Sequence, residues 1–328
     1  MPTVGPLIIC GLPRTGSTLL YNLLACDPNS RAPLFTEMCV ESVPPISRSN
    51  SVEQERRTVA ARLSAQMNEQ LVGRTDMMAA SHPRFAIEED YHILRQAGVA
   101  VFYTMECSEH QSECESWLYD DTNKDYAYDY HETFLRMLNS ADASPFHWLL
   151  KSPVHSLYLN TLLRHYPNAA LIMTHRRLDD LLPSYCRLVW AFCSVNFSEA
   201  DSTSQGTVTT LALKLIDKMI QRIVKFRTCE QHSEDQAVKA ILDVAYDDLM
   251  NEPIGIVHRI YDHFALRWSD AFEAAMRAWL RDNPQGKQGR HTYSLTEIGL
   301  TREDIETRYA DYINLFFRSS PSNTVSSN

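Results

Sequence analysis

Leu7-Ile8-Ile9-Cys10 runs directly into Gly11-Leu12-Pro13-Arg14-Thr15-Gly16-Ser17-Thr18, and Leu19-Leu20-Tyr21-Asn22-Leu23-Leu24 follows. A short apolar strand, a glycine-bounded loop and a helical stretch make a cradle for a phosphate-like anion. The N–H groups of Gly16, Ser17 and Thr18 fall at a helix N-terminus, where the dipole favours negative charge. The pattern is one residue away from G-x-x-x-x-G-K-[ST]: Ser17 stands where a lysine is expected. The cation sits inside the loop instead, as Arg14. Strand, loop and helix in this order predict an α/β fold, and the displaced cation predicts a different anion chemistry from that of a nucleoside triphosphatase.

Composition narrows the partners. The chain has 328 residues, 44% of them hydrophobic, and a formal net charge of −10. A general nucleic-acid surface is basic, so nucleic acid is excluded as a partner. Any anionic ligand must be met by a local cluster of cations. No run of about 18 apolar residues predicts a membrane span. The first strand begins within ten residues of Met1, which predicts no signal peptide. Eight cysteines occur without a CxxC pair, as expected for reduced thiols in a cytoplasmic protein.

Outward from the loop, strands alternate with helices. Strands are expected at 6–10, 148–151, 169–174 and 238–246, each a nearly continuous apolar run. Helices are expected at 17–25, 52–72, 88–105, 128–139, 154–165, 179–192, 207–232 and 253–264. Residues 32–50, rich in Pro and Ser, read as a loop. Continuous apolar strands separated by helices predict a P-loop-type parallel sheet flanked by helices on both faces. Residues 40–145 read as a mostly helical insertion within one domain spanning 1–318, and residues 319–328 as a disordered tail.

Three further stretches carry chemistry. His175-Arg176-Arg177 follows a strand, and Ser184 lies eight residues beyond Arg176, about two helical turns on. Ligands bind at the carboxyl ends of strands in open α/β sheets, so Arg176 and Ser184 suit a phosphate. The competing arrangement pairs Arg176 and Arg177 with Asp179 and Asp180 on a solvated helix start. Lys151 ends the strand at 148–151, where a magnesium-binding Asp would stand in a phosphotransferase; alternatively it snorkels. Asn283-Pro284-Gln285-Gly286-Lys287-Gln288-Gly289-Arg290-His291 is a cationic glycine loop, or an ordinary turn.

Taken together these motifs resemble the sulfotransferases, in the branch called family 3, kin to the tyrosylprotein and bacterial sugar sulfotransferases. The resemblance rests on residues 11–18, Phe35-Thr36-Glu37-Met38, Glu88-Glu89-Asp90, Leu150-Lys151-Ser152-Pro153, His175-Arg176 with Ser184, Tyr246-Asp247-Asp248-Leu249 and residues 287–293. It implies a P-loop-type sheet and a donor, 3′-phosphoadenosine 5′-phosphosulfate (PAPS). By resemblance Arg14 and the N–H groups of Thr15, Gly16, Ser17 and Thr18 take the 5′-phosphosulfate. Arg176 and Ser184 take the 3′-phosphate, and Lys287, Gly289, Arg290 and His291 complete that site. Tyr246 lies near the adenine and Lys151 near the transferring group.

Sulfuryl transfer from such a donor to an alcohol or amine of a small molecule needs no metal when arginine, lysine and backbone N–H groups meet the charge. An acceptor hydroxyl needs a base. Glu37 is the first candidate, after the first helix; Glu89 is the second, although Glu88-Glu89-Asp90 also reads as a solvated helix start. His92 and His155 are expected to be structural. Phe102, Tyr103, Met105, Trp117, Tyr119, Tyr126, Tyr128 and Tyr130 within the insertion belong to the core or, in part, to an apolar acceptor pocket. Two other functions fit the loop: a nucleotide kinase or other phosphotransferase, and a nucleotide-binding protein without catalysis.

Overall fold

The computed structural model describes residues 5–72, 85–101, 110–142, 147–193, 205–230, 241–284 and 294–318. The strands are β1 (Leu7–Gly11), β2 (Ser30–Arg31), β3 (His147–Lys151), β4 (Ala170–His175) and β5 (Ile241–Ala245). They form one five-stranded sheet in the order β2-β3-β1-β4-β5, with every pairing parallel. The helices, in chain order, are α1 (Ser17–Leu24), α2 (Phe35–Cys39), α3 (Ser51–Val72), α4 (Tyr91–Gln96), α5 (Gln111–Tyr119), α6 (Asp125–Ala141), α7 (Leu159–His165) and α8 (Leu178–Cys193). The later ones are α9 (Gln205–Glu230), α10 (Tyr246–Asn251), α11 (Pro253–His263), α12 (Asp270–Asp282), α13 (Arg302–Arg308) and α14 (Ala310–Ile313).

Alternation along the central strand builds both layers. Ile8 and Cys10 of β1 point into one apolar cluster, with Leu181 and Leu182 of α8, Ile216 and Ile223 of α9 and Leu162 of α7. Leu7 and Ile9 point into the other, with Leu20 and Leu23 of α1, Val257 and Ile260 of α11 and Phe272 of α12. Both faces of the strand are therefore buried, which is why it reads as an unbroken apolar run. The chain leaves β1 on the α1 face and leaves β3 on the α7 face. The crevice between these departures lies at the carboxyl ends of β1, β3 and β4.

Several boundaries depart from the sequence expectation. Residues 154–165 are not one helix. A 3-10 turn over Pro153–Leu157 precedes α7, because Ser152 caps it through Val154 N–H at 3.1 Å and Ser156 is tied to Gly11 at 3.0 and 2.9 Å. Residues 32–50 contain α2, and Tyr246 opens α10 rather than closing β5. Helix α3 forms as expected, but its apolar stripe faces outward: Val52 is 81% and Met67 62% exposed, with Val59 and Leu63 exposed beside them. It is tied to the preceding segment by Arg57, which donates to Glu41 O and, at 2.8 Å, to Pro44 O, and by the Arg56–Glu41 ion pair. Of the helix expected at 88–105, only Tyr91–Gln96 is helical among the described residues. Phe102, Tyr103 and Met105, the loop at 285–293 and the tail at 319–328 lie outside the described residues.

Candidate functional site

The loop is fastened from beneath. Gly11 has φ 109°, and a Cβ there would lie 2.6 Å from Thr174 O, so only glycine lets β1 and β4 approach this closely. The Thr15 hydroxyl donates to Leu12 O at 2.8 Å and meets the Thr174 hydroxyl at 2.6 Å. That side chain is fully buried and locks the loop, leaving its backbone for a ligand. Gly16 is the N-cap of α1 in the left-handed conformation, φ 79°, and no side chain caps the helix. The first N–H groups of α1 thus have no intrahelical acceptor. Arg14 also takes a left-handed conformation, φ 65°, which is costly for a side chain of that size and is a feature of ligand clamps.

Two groupings flank the start of α1, one of arginines and one an ion pair. On the β4 side, Arg14 Nε donates to Ser184 Oγ at 2.9 Å. Arg176 Nη1 donates to Arg14 O at 3.2 Å, and its guanidinium lies over the Tyr246 ring at 4.2 Å. Among the described residues Arg176 Nε is buried without a hydrogen-bond partner. The Tyr246 ring is itself against the loop, 3.2 Å from where a Gly16 Cβ would stand. Arg177, by contrast, pairs with Asp179 at 2.7 Å on the surface. The alternative pairing foreseen for both arginines therefore applies to Arg177. Ser184 holds Arg14, a partnership absent from the sequence reading. On the β3 side, Lys151 is almost fully buried and its ammonium pairs with Glu89 and donates to Thr18 Oγ1 at 3.3 Å. Lys287, Gly289, Arg290 and His291 lie outside the described residues.

Glu37 is held elsewhere. Its Oε1 accepts from Arg31 at 3.1 Å, and its Oε2 from Arg48 at 3.0 Å and from Leu34 N–H at 2.8 Å. Burial pushes the carboxyl up, but the Arg48 hydrogen bond and charge, the Leu34 N–H and Arg31 outweigh it and hold the group below the usual carboxylate range. This cluster fixes the segment before α2. Phe35 N donates to Ala86 O at 2.9 Å and Glu88 N to Pro33 O at 3.3 Å. The strap of residues 86–88 delivers Glu89 to Lys151. The sequence contains Glu37 and Glu89 equally, but Arg31, Arg48 and Lys151 sort them. Only contacts formed on folding carry that signal. His92 packs edge-on against Phe35, ring centroids 5.8 Å apart. His175 is buried between Tyr312, at 2.9 Å, and Asp243, at 3.0 Å.

The arrangement suits a ligand with more than one anionic group. A buried guanidinium nitrogen without a partner among the described residues and a helix start without a side-chain cap are groups that a phosphate could satisfy. Among the described residues no group of three or more His, Cys, Asp or Glu is placed to hold a metal ion, and no helix is long and apolar enough to cross a membrane.

The sequence profile of the sulfotransferase family matches residues 6–270. Omega-hydroxy-beta-dihydromenaquinone-9 sulfotransferase Stf3, from Mycobacterium bovis and from Mycobacterium tuberculosis, is 25% identical over 148 residues. That match spans 45% of this chain and 36% of the relative's length. Sulfotransferase STF9 from Mycobacterium avium has a similar structure, with a TM-score of 0.79 at 27% identity, over 97% of this chain and 78% of that one. Sulfotransferase STF1 from Mycobacterium tuberculosis H37Rv gives 0.70 at 25% identity, over 94% and 76%. The chain belongs to the sulfotransferase family.

Proposed function

We propose that the chain, as a sulfotransferase, moves a sulfuryl group from PAPS to the hydroxyl or amine of a small, partly apolar molecule in the cytoplasm. The observation that carries this reading is the convergence on the start of α1 of two groupings: Arg14 with Ser184 and Arg176, and Lys151 with Glu89. A bisphosphorylated nucleotide needs two anion sites, for which Arg14 and Arg176 offer a cation each, while Lys151 stands on the other side of the α1 start with Glu89 as its counter-charge. The apolar character of the acceptor draws support from the menaquinone derivative in the name of the Stf3 relative and from the half-buried Phe35 and His92 rings, the latter on a residue whose N–H donates to Glu89 O at 3.2 Å.

In this reading the donor supplies the sulfuryl group. Arg14 and the N–H groups of Thr15 to Thr18 hold its 5′-phosphosulfate, Arg176 and Ser184 serve its 3′-phosphate, and Tyr246 lies beside the adenosine. The nucleophile is the acceptor oxygen: a new S–O bond forms as the S–O bond to the phosphate breaks. Glu89 takes the hydroxyl proton, and Glu37 has the supporting role of fixing the segment that carries it. Lys151 and Arg14 meet the charge that the leaving phosphate gains. Charge stabilisation by preformed donors is the main source of rate here, and base catalysis adds about 10²–10⁴-fold.

The donor half is tested by thermal stability, since a ligand bound to the native state alone stabilises it by mass action. Adenosine 3′,5′-bisphosphate should raise the melting temperature, and AMP, without the 3′-phosphate, should do so far less. Equal shifts in matched titrations would remove the 3′-phosphate site.

A further inference from the structure

Behind the Glu89–Lys151 pair lies a buried ionisable cluster that the transfer reading does not use. Asp90, His131 and His155 have no exposed surface. Asp90 Oδ1 accepts from Lys151 N–H at 2.9 Å. Its Oδ2 lies 2.9 Å from His131 Nε2 and 2.8 Å from His155 Nε2. The far nitrogens are also engaged: His155 Nδ1 lies 2.9 Å from the Tyr128 hydroxyl and His131 Nδ1 2.6 Å from that of Tyr166. Burial pushes the Asp90 carboxyl up, but the charge of His155 and the hydrogen bonds from both imidazoles hold it well below the usual range. Burial lowers His131 in turn, so it is neutral, donates from Nε2 and accepts from Tyr166 at Nδ1.

Such a cluster is an expensive way to fill space. A buried carboxylate is desolvated, and apolar side chains of the same volume are often at least as stabilising. What the cluster does that apolar packing cannot is direct a fixed acceptor at one backbone N–H, that of Lys151, at the end of β3. Glu89 is the residue before Asp90, so one carboxylate anchors both members of the ion pair through the main chain. The Tyr128–His155–Asp90–His131–Tyr166 chain then sets the orientation of that carboxylate from α6, the 3-10 turn and the end of α7.

We propose that Asp90 is the positioning residue of the transfer site, oriented by His131 and His155 so that Glu89 and Lys151 are held in register. This rests on the reading of that pair as the transfer machinery. The Arg14–Ser184–Arg176 grouping shares no hydrogen bond with Asp90, so donor binding and turnover should separate.

The test is Asp90→Asn, which keeps the shape but has one acceptor oxygen, so it cannot accept from Lys151 N–H and from the two imidazoles at once. Turnover, normalised to sites that bind adenosine 3′,5′-bisphosphate, should fall at least about tenfold, a loss typical of a shifted reacting geometry. The Kd for that nucleotide and the KM for the acceptor should stay within about twofold. Acylation of Lys151 by an amine reagent, mapped by mass spectrometry, should become severalfold faster. A folded variant with wild-type turnover and wild-type Lys151 labelling overturns the proposal. So does a parallel loss of nucleotide affinity, which marks a general collapse of the site. If Asp90→Asn does not fold, Tyr128→Phe is read by the same criteria, since it removes one hydrogen bond and leaves the packing. If the wild-type protein transfers no sulfuryl group, the transfer reading fails, while Lys151 labelling still decides whether Asp90 positions the pair.

Discussion

At the scale of single residues, charge is assigned by partners. Arg176 keeps a buried Nε with no partner among the described residues, so Arg176→Ala should weaken adenosine 3′,5′-bisphosphate by about 2–5 kcal/mol, the cost of leaving a charged group unpaired. Isothermal titration measures it, and an unchanged Kd would place the 3′-phosphate elsewhere. The two glutamates should divide cleanly. Glu89→Gln should lower turnover by about 10²-fold or more with little change in melting temperature. Glu37→Gln leaves Arg31 buried beside an amide and should cost about 3–5 kcal/mol of stability, with turnover per folded molecule nearly kept. The opposite division would return Glu37 to the role of base. Arg14, Lys151 and Arg176 stand out in the sequence as candidates because each lies at or just after the end of a strand. Which of Glu37 and Glu89 lies beside Lys151 does not, since it depends on Arg31, Arg48 and Lys151 across the fold. Asp90 stands in the sequence only as part of Glu88-Glu89-Asp90, with no sign of its own contacts: its partners His131 and His155 come from other elements.

At the scale of elements, the site depends on how tightly the loop enters α1. A Cβ on Gly16 would stand 3.1–3.2 Å from Leu249, Met250 and Tyr246, in a backbone conformation that itself costs an L-residue about 1–2 kcal/mol. Gly16→Ala should therefore lower the melting temperature and weaken the donor together, because Tyr246 and the α1 N–H groups move as one. A variant that binds the nucleotide as tightly as wild type would show that the loop does not need this fit. The strands β1, β3 and β4 are readable because burial on both faces keeps them mostly apolar, whereas β2, only Ser30–Arg31, carries no such signal. The 3-10 turn at Pro153–Leu157 is not readable either, because Ser156 and His155 are drawn to Gly11 and Asp90 rather than to a helical ladder. The outward stripe of α3 misled periodicity in the opposite way: the spacing is right for a helix, but the buried contacts of that helix come from Arg57.

At the scale of the whole molecule, buried neutral imidazoles set the response to acid. Burial lowers His131, His147 and His175, whereas an unfolded histidine titrates near about 6.5. Below that pH the unfolded chain binds more protons than the folded one, so stability must fall as pH drops through about 6.5. Melting temperatures from pH 8 to pH 5 should decline on that limb, before the carboxylates titrate; a flat profile would mean that these rings take up protons in the fold as they do in the unfolded chain. The same sheet that buries them aligns the ends of β1, β3 and β4, and the account depends on what crosses that edge. The most direct measurement incubates the pure protein with sulfur-labelled PAPS and a metabolite extract in excess EDTA, alongside Glu89→Gln. The account predicts that label moves to a small-molecule product in wild type and is reduced about 10²-fold or more in the variant. Label that stays on a donor shown to be bound, or transfer that needs added Mg²⁺, would contradict it.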